Sequence, residues 1–164
     1  MSNALGRDLA KLVAAVDAAA SECGHGAYGQ HFHIMPPAGW LNDPNGLCQA
    51  GGVFHAYFQY APFDVEGGVK AWGHATSRDL MKWDYVGAPL LPDEPFDCHG
   101  VYSGSALAED GRIRVLYTGN VKLSTTSIPA AAPILFMSRA LMALPVGSSA
   151  KSAWCWLPRI IPRV

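Results

Sequence analysis

Val53-Phe54-His55-Ala56-Tyr57-Phe58-Gln59-Tyr60 changes face at every residue, with Phe54, Ala56, Phe58 and Tyr60 on one side and Val53, His55, Tyr57 and Gln59 on the other. A two-residue period in an aromatic run predicts a strand. Downstream, Val101 to Ala108 and Arg112 to Thr118 flank Glu109-Asp110-Gly111, whose Asp-Gly pair accepts positive φ and closes a hairpin. Ala71 to Ser77 and Trp83 to Val86 read as two more strands joined by a polar turn around Arg78-Asp79. Short strands punctuated by Gly, Pro and Asp, with no helices between them, predict an antiparallel all-β architecture such as a propeller or sandwich.

Upstream of that run lies Trp40-Leu41-Asn42-Asp43-Pro44-Asn45-Gly46. Asp-Pro and Asn-Gly are turn dipeptides, so Asp43 reads either as part of a surface turn or as a carboxylate held rigidly for chemistry. The local sequence leaves both open. Trp40 and Trp72 carry flat apolar faces suited to sugar C–H groups, and Gln59 and Ser103 exchange hydrogen bonds with hydroxyls. Trp72 suits a core position equally well. His74 reads as a structural hydrogen-bonding residue rather than a base. The His31-x-His33 pair has no third ligand in view, so no metal or other cofactor is expected.

The chain has 164 residues, 50% hydrophobic and 15% charged, which is enough for one folded core. A net charge of -1 and a pI near 6.6 offer no electrostatic footprint for nucleic acid or an anionic membrane. Cys23, Cys48, Cys98 and Cys155 form no C-x-x-C pair, and reduced thiols are expected. Leu5, Leu9, Leu12, Val13 and Val16 recur at helical spacing and predict a packing helix from residue 4 to 23, ending near Gly24. Arg7, Asp8, Lys11 and Asp17 interrupt any apolar signal segment, which predicts a cytoplasmic location.

Composition divides the chain into a helix and linker over 1–30, a β-rich part over 31–122 and a tail over 123–164. The tail's 42 residues contain no Asp, Glu, Asn, Gln, His or Tyr, and all 13 acidic residues precede it. Five prolines interrupt it, so it is expected not to continue the β pattern, and its composition suggests a segment translated out of frame or otherwise unrelated to what precedes it. Ile128 to Val146 is mostly apolar, but Arg139 at its centre opposes a membrane anchor by roughly 2.5–3.5 kcal/mol.

Five patterns occur in order: Trp40 to Gly46, Phe58-Gln59-Tyr60-Ala61-Pro62, Ala71-Trp72-Gly73-His74-Ala75-Thr76-Ser77, Arg78-Asp79-Leu80 with Trp83, and Tyr102-Ser103-Gly104-Ser105-Ala106. Together they resemble the N-terminal part of glycoside hydrolase family 32, the β-fructofuranosidases that include invertases, sucrose-6-phosphate hydrolases, levanases and inulinases. The resemblance implies an all-β fold, a partial five-bladed β-propeller of about the first blade and part of the second, preceded by the N-terminal helix and followed by the aberrant tail. It implies a fructose-containing sugar as substrate and a retaining mechanism with Asp43 as nucleophile. By the same resemblance Trp40, Asn42, Gln59, Trp72 and Ser103 bind or surround the fructosyl unit. Two departures affect the subsite: the linker Phe63 to Lys70 lacks a tryptophan common in the family, and Ala61 stands where an asparagine is usual.

A retaining hydrolase needs a second carboxyl about 5–5.5 Å from the nucleophile. In the family this is the Glu of an E-C pattern, with a further Asp in R-D-P; no R-D-P occurs in these residues and no E-C follows Asp43, the pair Glu22-Cys23 lying ahead of it in the N-terminal helical stretch. Arg78-Asp79 is followed by Leu80, and Asp97-Cys98 is no substitute. The expectation is a truncated hydrolase inactive alone. Its alternatives are a non-catalytic fructoside-binding fragment and one half of a split enzyme completed by a downstream fragment.

Overall fold

The helical stripe forms α1 (Ala4–Cys23), which ends where Gly24 turns to φ +64° and gives its N–H to the Ala20 carbonyl at 3.0 Å. The structure is a computed structural model that describes residues 4–121 and the backbone of 139–145. Val13 of α1 is buried with Phe58, Tyr60, Ala71, Ala75 and Leu91. Beside it Asp17 accepts hydrogen bonds from the Tyr60 and Tyr85 hydroxyls at 2.7 and 2.8 Å, so the helix is fixed by contacts that need both apolar burial and a paired carboxylate. Among the described residues no helix is long and apolar enough to cross a membrane.

The described strands form two antiparallel sheets. The first contains β1 (Trp40–Ala50), β2 (Val53–Ala61), β3 (Ala71–Ser77) and β4 (Asp84–Leu90) in that order. The second contains β5 (Val101–Glu109), β6 (Arg112–Gly119) and β7 (Arg139–Pro145). The β5–β6 turn has Asp110 at φ +51° and Gly111 at +69°, the double left-handed geometry expected of a two-residue hairpin.

Alternation along β2 separates two cores. Phe58 and Tyr60 face α1, whereas Tyr57 joins Trp72, Val101, Ile113, Val115 and Tyr117 between the sheets. β2 is therefore covered on both faces, which explains why its run lacks charges. Gly46, at φ +52°, allows the sheets to approach: a Cβ there would lie 2.9 Å from the Tyr57 ring and 3.2 Å from Ala106.

Three sequence expectations are corrected. Trp40 to Gly46 is no turn but the first half of β1, because β2 continues past it and supplies partners on both sides of Pro44. β4 starts at Asp84 and passes Val86 to reach Leu90, since Gly87 at φ +121° takes up a register shift instead of ending the strand. The tail does contribute to the sheet at one place: Arg139–Pro145 pairs with β6 from Thr118 to Arg112, with Pro145 at the strand end where a missing N–H is tolerated. The readings made for 123–138 and 146–164, including Cys155, lie outside the described residues. Cys23, Cys48 and Cys98 are free thiols.

Two titratable groups, one half-buried and one buried, oppose one another. His74 stacks on Tyr57 with its Nε2 3.0 Å from His55 Nδ1. Burial, and then the neighbouring His55, lower its pKa from 6.5 to about 3. The folded chain thus rejects a proton that the unfolded chain binds, so this stability is whole above pH 6.5 and is lost as pH falls toward 3. Asp97 is fully buried, accepting from the Tyr117 hydroxyl and the Glu94 N–H, each at 2.8 Å. Burial raises its pKa from 3.8 to about 6, so its contribution is whole below 3.8 and is lost as pH rises through 6.

At about 1.4 kcal/mol per pKa unit the histidine shift outweighs the aspartate shift. The thermal midpoint, followed by circular dichroism, is expected to fall between pH 7 and pH 4. His74→Asn should flatten that fall, and Asp97→Asn, which removes the opposing contribution, should steepen it.

Candidate active site

β1 departs from regular pairing twice. Between Leu41↔Tyr60 and Pro44↔Phe58, Asn42 and Asp43 together oppose the single residue Gln59, which defines a bulge. Pro44 has no N–H to continue the ladder there, and the extra residue turns the Asp43 carboxylate out to an exposed position. A second irregularity, with Gly46 and Leu47 opposite Ala56, follows before pairing resumes at Cys48↔His55. Bulges of this kind re-aim side chains, and here they aim a carboxylate.

Four of the residues expected at the site are joined by hydrogen bonds. Asn42 Nδ2 donates to Gln59 Oε1 at 3.3 Å, Gln59 Nε2 donates to Ser103 Oγ at 3.1 Å, and Ser103 Oγ donates to Asp43 Oδ2 at 3.4 Å. The chain of contacts runs from one bulge residue across β2 to β5 and back to the other bulge residue. Gln59 is only 3% exposed and both ends of its amide are occupied, so it orients Asn42 and Ser103 from below. Asp43 and Ser103 are the exposed members.

Trp40 and Trp72 differ. Trp40 is half-buried, with the Lys70 ammonium 5.0 Å from its ring centroid. Trp72 is 0% exposed and donates its indole N–H to the Tyr102 carbonyl at 3.2 Å. Of the two readings open for Trp72, the core position is the one seen: it lies beside Tyr57 and Tyr117, and its indole N–H ties β3 to β5.

Three contributors were not singled out in the sequence. Asn45 is buried, donates to the Asp43 carbonyl at 2.9 Å and accepts from the Gly104 N–H at 3.0 Å, tying the bulge to β5. Its position in Asp-Pro-Asn-Gly was the available signal, concealed by the turn reading. Lys70 and Asp97 have no local signal, because their partners are distant in sequence. The backbone around Asp97 sets the entry into β5: Gly100 N–H donates to the Asp97 carbonyl at 2.7 Å, and Val101 N–H to the Lys70 carbonyl at 2.7 Å.

Chemically, the cluster pairs one exposed carboxylate with a hydroxyl and two amides, a combination suited to a polyhydroxylated ligand. It contains one carboxylate, whereas retaining glycoside hydrolysis uses two.

Residues 33–139 match the model of the glycosyl hydrolases family 32 N-terminal domain. A sucrose-6-phosphate hydrolase of Bacillus subtilis is 50% identical over 93 residues, covering 57% of this chain and 19% of that protein. Among solved structures, a sucrose-6-phosphate hydrolase from Lactobacillus gasseri superposes with a TM-score of 0.60 at 34% identity, covering 82% of this chain and 25% of that one. A Bombyx mori β-fructofuranosidase mutant in complex with sucrose gives a TM-score of 0.66 at 28% identity, covering 83% and 27%. The chain spans about a fifth of the length of the curated relatives it matches.

Asn45→Ala removes both contacts of a buried amide, to the Asp43 carbonyl and from the Gly104 N–H, and leaves a gap at a buried position. Asn45→Ala is expected to lower unfolding free energy by about 1–3 kcal/mol in urea denaturation. Ser103→Ala, at an exposed position, is expected to change it by less than about 1 kcal/mol.

Proposed function

The chain belongs to glycosyl hydrolase family 32, and on that premise we propose that residues 31–121 form the nucleophile-bearing side of a site that cleaves terminal β-D-fructofuranosides with retention. The observation that carries this reading is the exposed Asp43 carboxylate, set in a strand bulge and oriented by Ser103. The two sheets are read as neighbouring blades of a five-bladed propeller, with the Asp43 cluster at the end facing its central funnel. Sucrose and related fructosides are the proposed substrates.

Asp43 attacks the anomeric carbon of the fructosyl ring. The bond to the leaving oxygen breaks as that oxygen takes a proton from a second carboxyl, and water later releases fructose from the ester on Asp43. Asn42 and Ser103 contact the sugar hydroxyls while Gln59 holds both in place, and Trp40 offers its exposed edge to the ring. The proton donor is not among the clustered residues. General acid/base assistance is worth about 10²- to 10⁴-fold, so the 164-residue polypeptide alone is expected to bind fructosides without turning over sucrose. A partner segment carrying the acid/base Glu would restore turnover, which is the split-enzyme form of the same reading.

β-D-Fructofuranosyl fluoride separates the nucleophile from the missing acid, because fluoride departs without a strong proton donor. The wild-type chain is expected to acquire one fructosyl group on the peptide containing Asp43, detected by mass spectrometry and persisting because no base activates water. Asp43→Asn should acquire none. A wild-type chain that stays unlabelled, or an Asp43→Asn chain labelled to the same extent, would overturn the assignment. Release of fructose from sucrose by the unaided chain would overturn the claim that its acid/base lies elsewhere.

A further inference from the structure

Lys70 begins the run into β3, yet its side chain turns back toward the bulge of β1. Its ammonium donates to the Gly67 carbonyl at 2.7 Å and the Gly68 carbonyl at 3.2 Å. The same group lies 5.0 Å from the Trp40 ring centroid and 5.5 Å from that of Tyr102. One cation therefore joins three separate segments: the 62–70 loop, the start of β1 and the start of β5. The loop itself packs on the indole, since a Cβ built on Gly67 would lie 3.5 Å from Trp40 Cδ2 and Cε3. Trp40 is thus held by Gly67 and by the lysine, two residues before Asn42 and three before Asp43.

We propose that Lys70 is a positioning residue that locks the Trp40 indole and the 62–70 loop beside Asp43 and thereby sets affinity for the fructosyl ligand. The second half rests on the fructoside-binding reading above; the first half stands on geometry alone. A lysine suits this place because its ammonium has donors for two carbonyls and also interacts with two ring faces. Losing the charge while keeping the aliphatic stem releases the loop carbonyls and both rings together. The backbone link from Val101 N–H to the Lys70 carbonyl is independent of the side chain, so this tie between the residue before β3 and the start of β5 survives the substitution.

The test uses the full 164-residue chain labelled with 5-fluorotryptophan, the Trp40 fluorine line being assigned by its loss in Trp40→Phe. Lys70→Met is expected to shift and broaden that line while the Trp72 line stays sharp. Lys70→Arg, which keeps charge, donors and ring contact, is expected to restore a single sharp line. Calorimetric titration with fructose and sucrose should show affinity roughly three- to thirtyfold weaker in Lys70→Met than in wild type, and largely recovered in Lys70→Arg. An unchanged Trp40 line in Lys70→Met, or an Arg variant as disturbed as the Met variant, would refute the positioning role. If Lys70→Met does not fold, Lys70→Gln takes its place, and loss of fold in both would make Lys70 a folding residue and also refute it. A wild-type chain that binds no fructoside while its Trp40 line responds as described would remove the ligand reading and leave the lock in place. Binding that is equal in wild type and Lys70→Met, with the line disturbed, would refute only the link from lock to affinity.

Discussion

The Asn45 amide uses its two ends on backbone groups of different sheets, the Asp43 carbonyl on one side and the Gly104 N–H on the other. Both partners would otherwise be polar groups stranded in irregular backbone, the first in a bulge and the second where β5 shifts register between Tyr102 and Gly104. The two irregularities answer each other through this side chain. Gly46 next to it removes the Cβ that would keep the sheets apart, and Gly104 removes one that would strike the Leu116 carbonyl of the neighbouring strand in its own sheet. Asp43, Ser103 and their neighbours acquire fixed relative positions because these two defects are joined.

Much of the fold was legible because periodicity is local. The helix over 4–23, the alternating faces of β2 and the Asp110-Gly111 hairpin each follow from residues within a few positions of one another. The bulge of β1 was not legible, because Asp-Pro and Asn-Gly favour a turn whenever nothing outside forces the chain to stay extended. Here the partner strand forces it. Tyr57, Phe58 and Tyr60 of β2 are buried on two faces and must be paired along their length, so β1 is held straight except where Pro44 and Gly46 demand an extra residue. Residues 139–145 teach the same lesson in reverse: a run without acid or amide side chains can still complete a backbone ladder, since β6 offers the N–H and C=O groups.

Which tryptophan faces a ligand is a tertiary property as well. Trp40 and Trp72 are equivalent as residue types, but Trp72 lies in an inter-sheet core while Trp40 is half-buried and is no member of it. The same distinction separates the aspartates. Asp17 and Asp97 each accept from tyrosine hydroxyls and are used to fasten α1 and the loop before β5. Asp43 receives one longer hydroxyl contact and stays accessible. An anchoring carboxylate needs its lone pairs filled, whereas one that meets solvent or a ligand keeps some of them free. Hydrogen-bond partners separate these roles better than sequence context does.

Gln59 carries the argument from structure to chemistry. With 3% exposure and both amide groups engaged, it cannot itself give a ligand much contact area. Its strength is orientation: accepting from Asn42 engages that amide's nitrogen, and donating to Ser103 leaves the serine proton for Asp43. A glutamate in its place would reverse the second contact, drawing the serine proton away from Asp43 and adding a second charge near its carboxylate. The neutral amide is therefore required for electrostatic as well as steric reasons. Through Gln59, one bulge in β1 and one exposed serine in β5 form a single polar surface beside an exposed carboxylate.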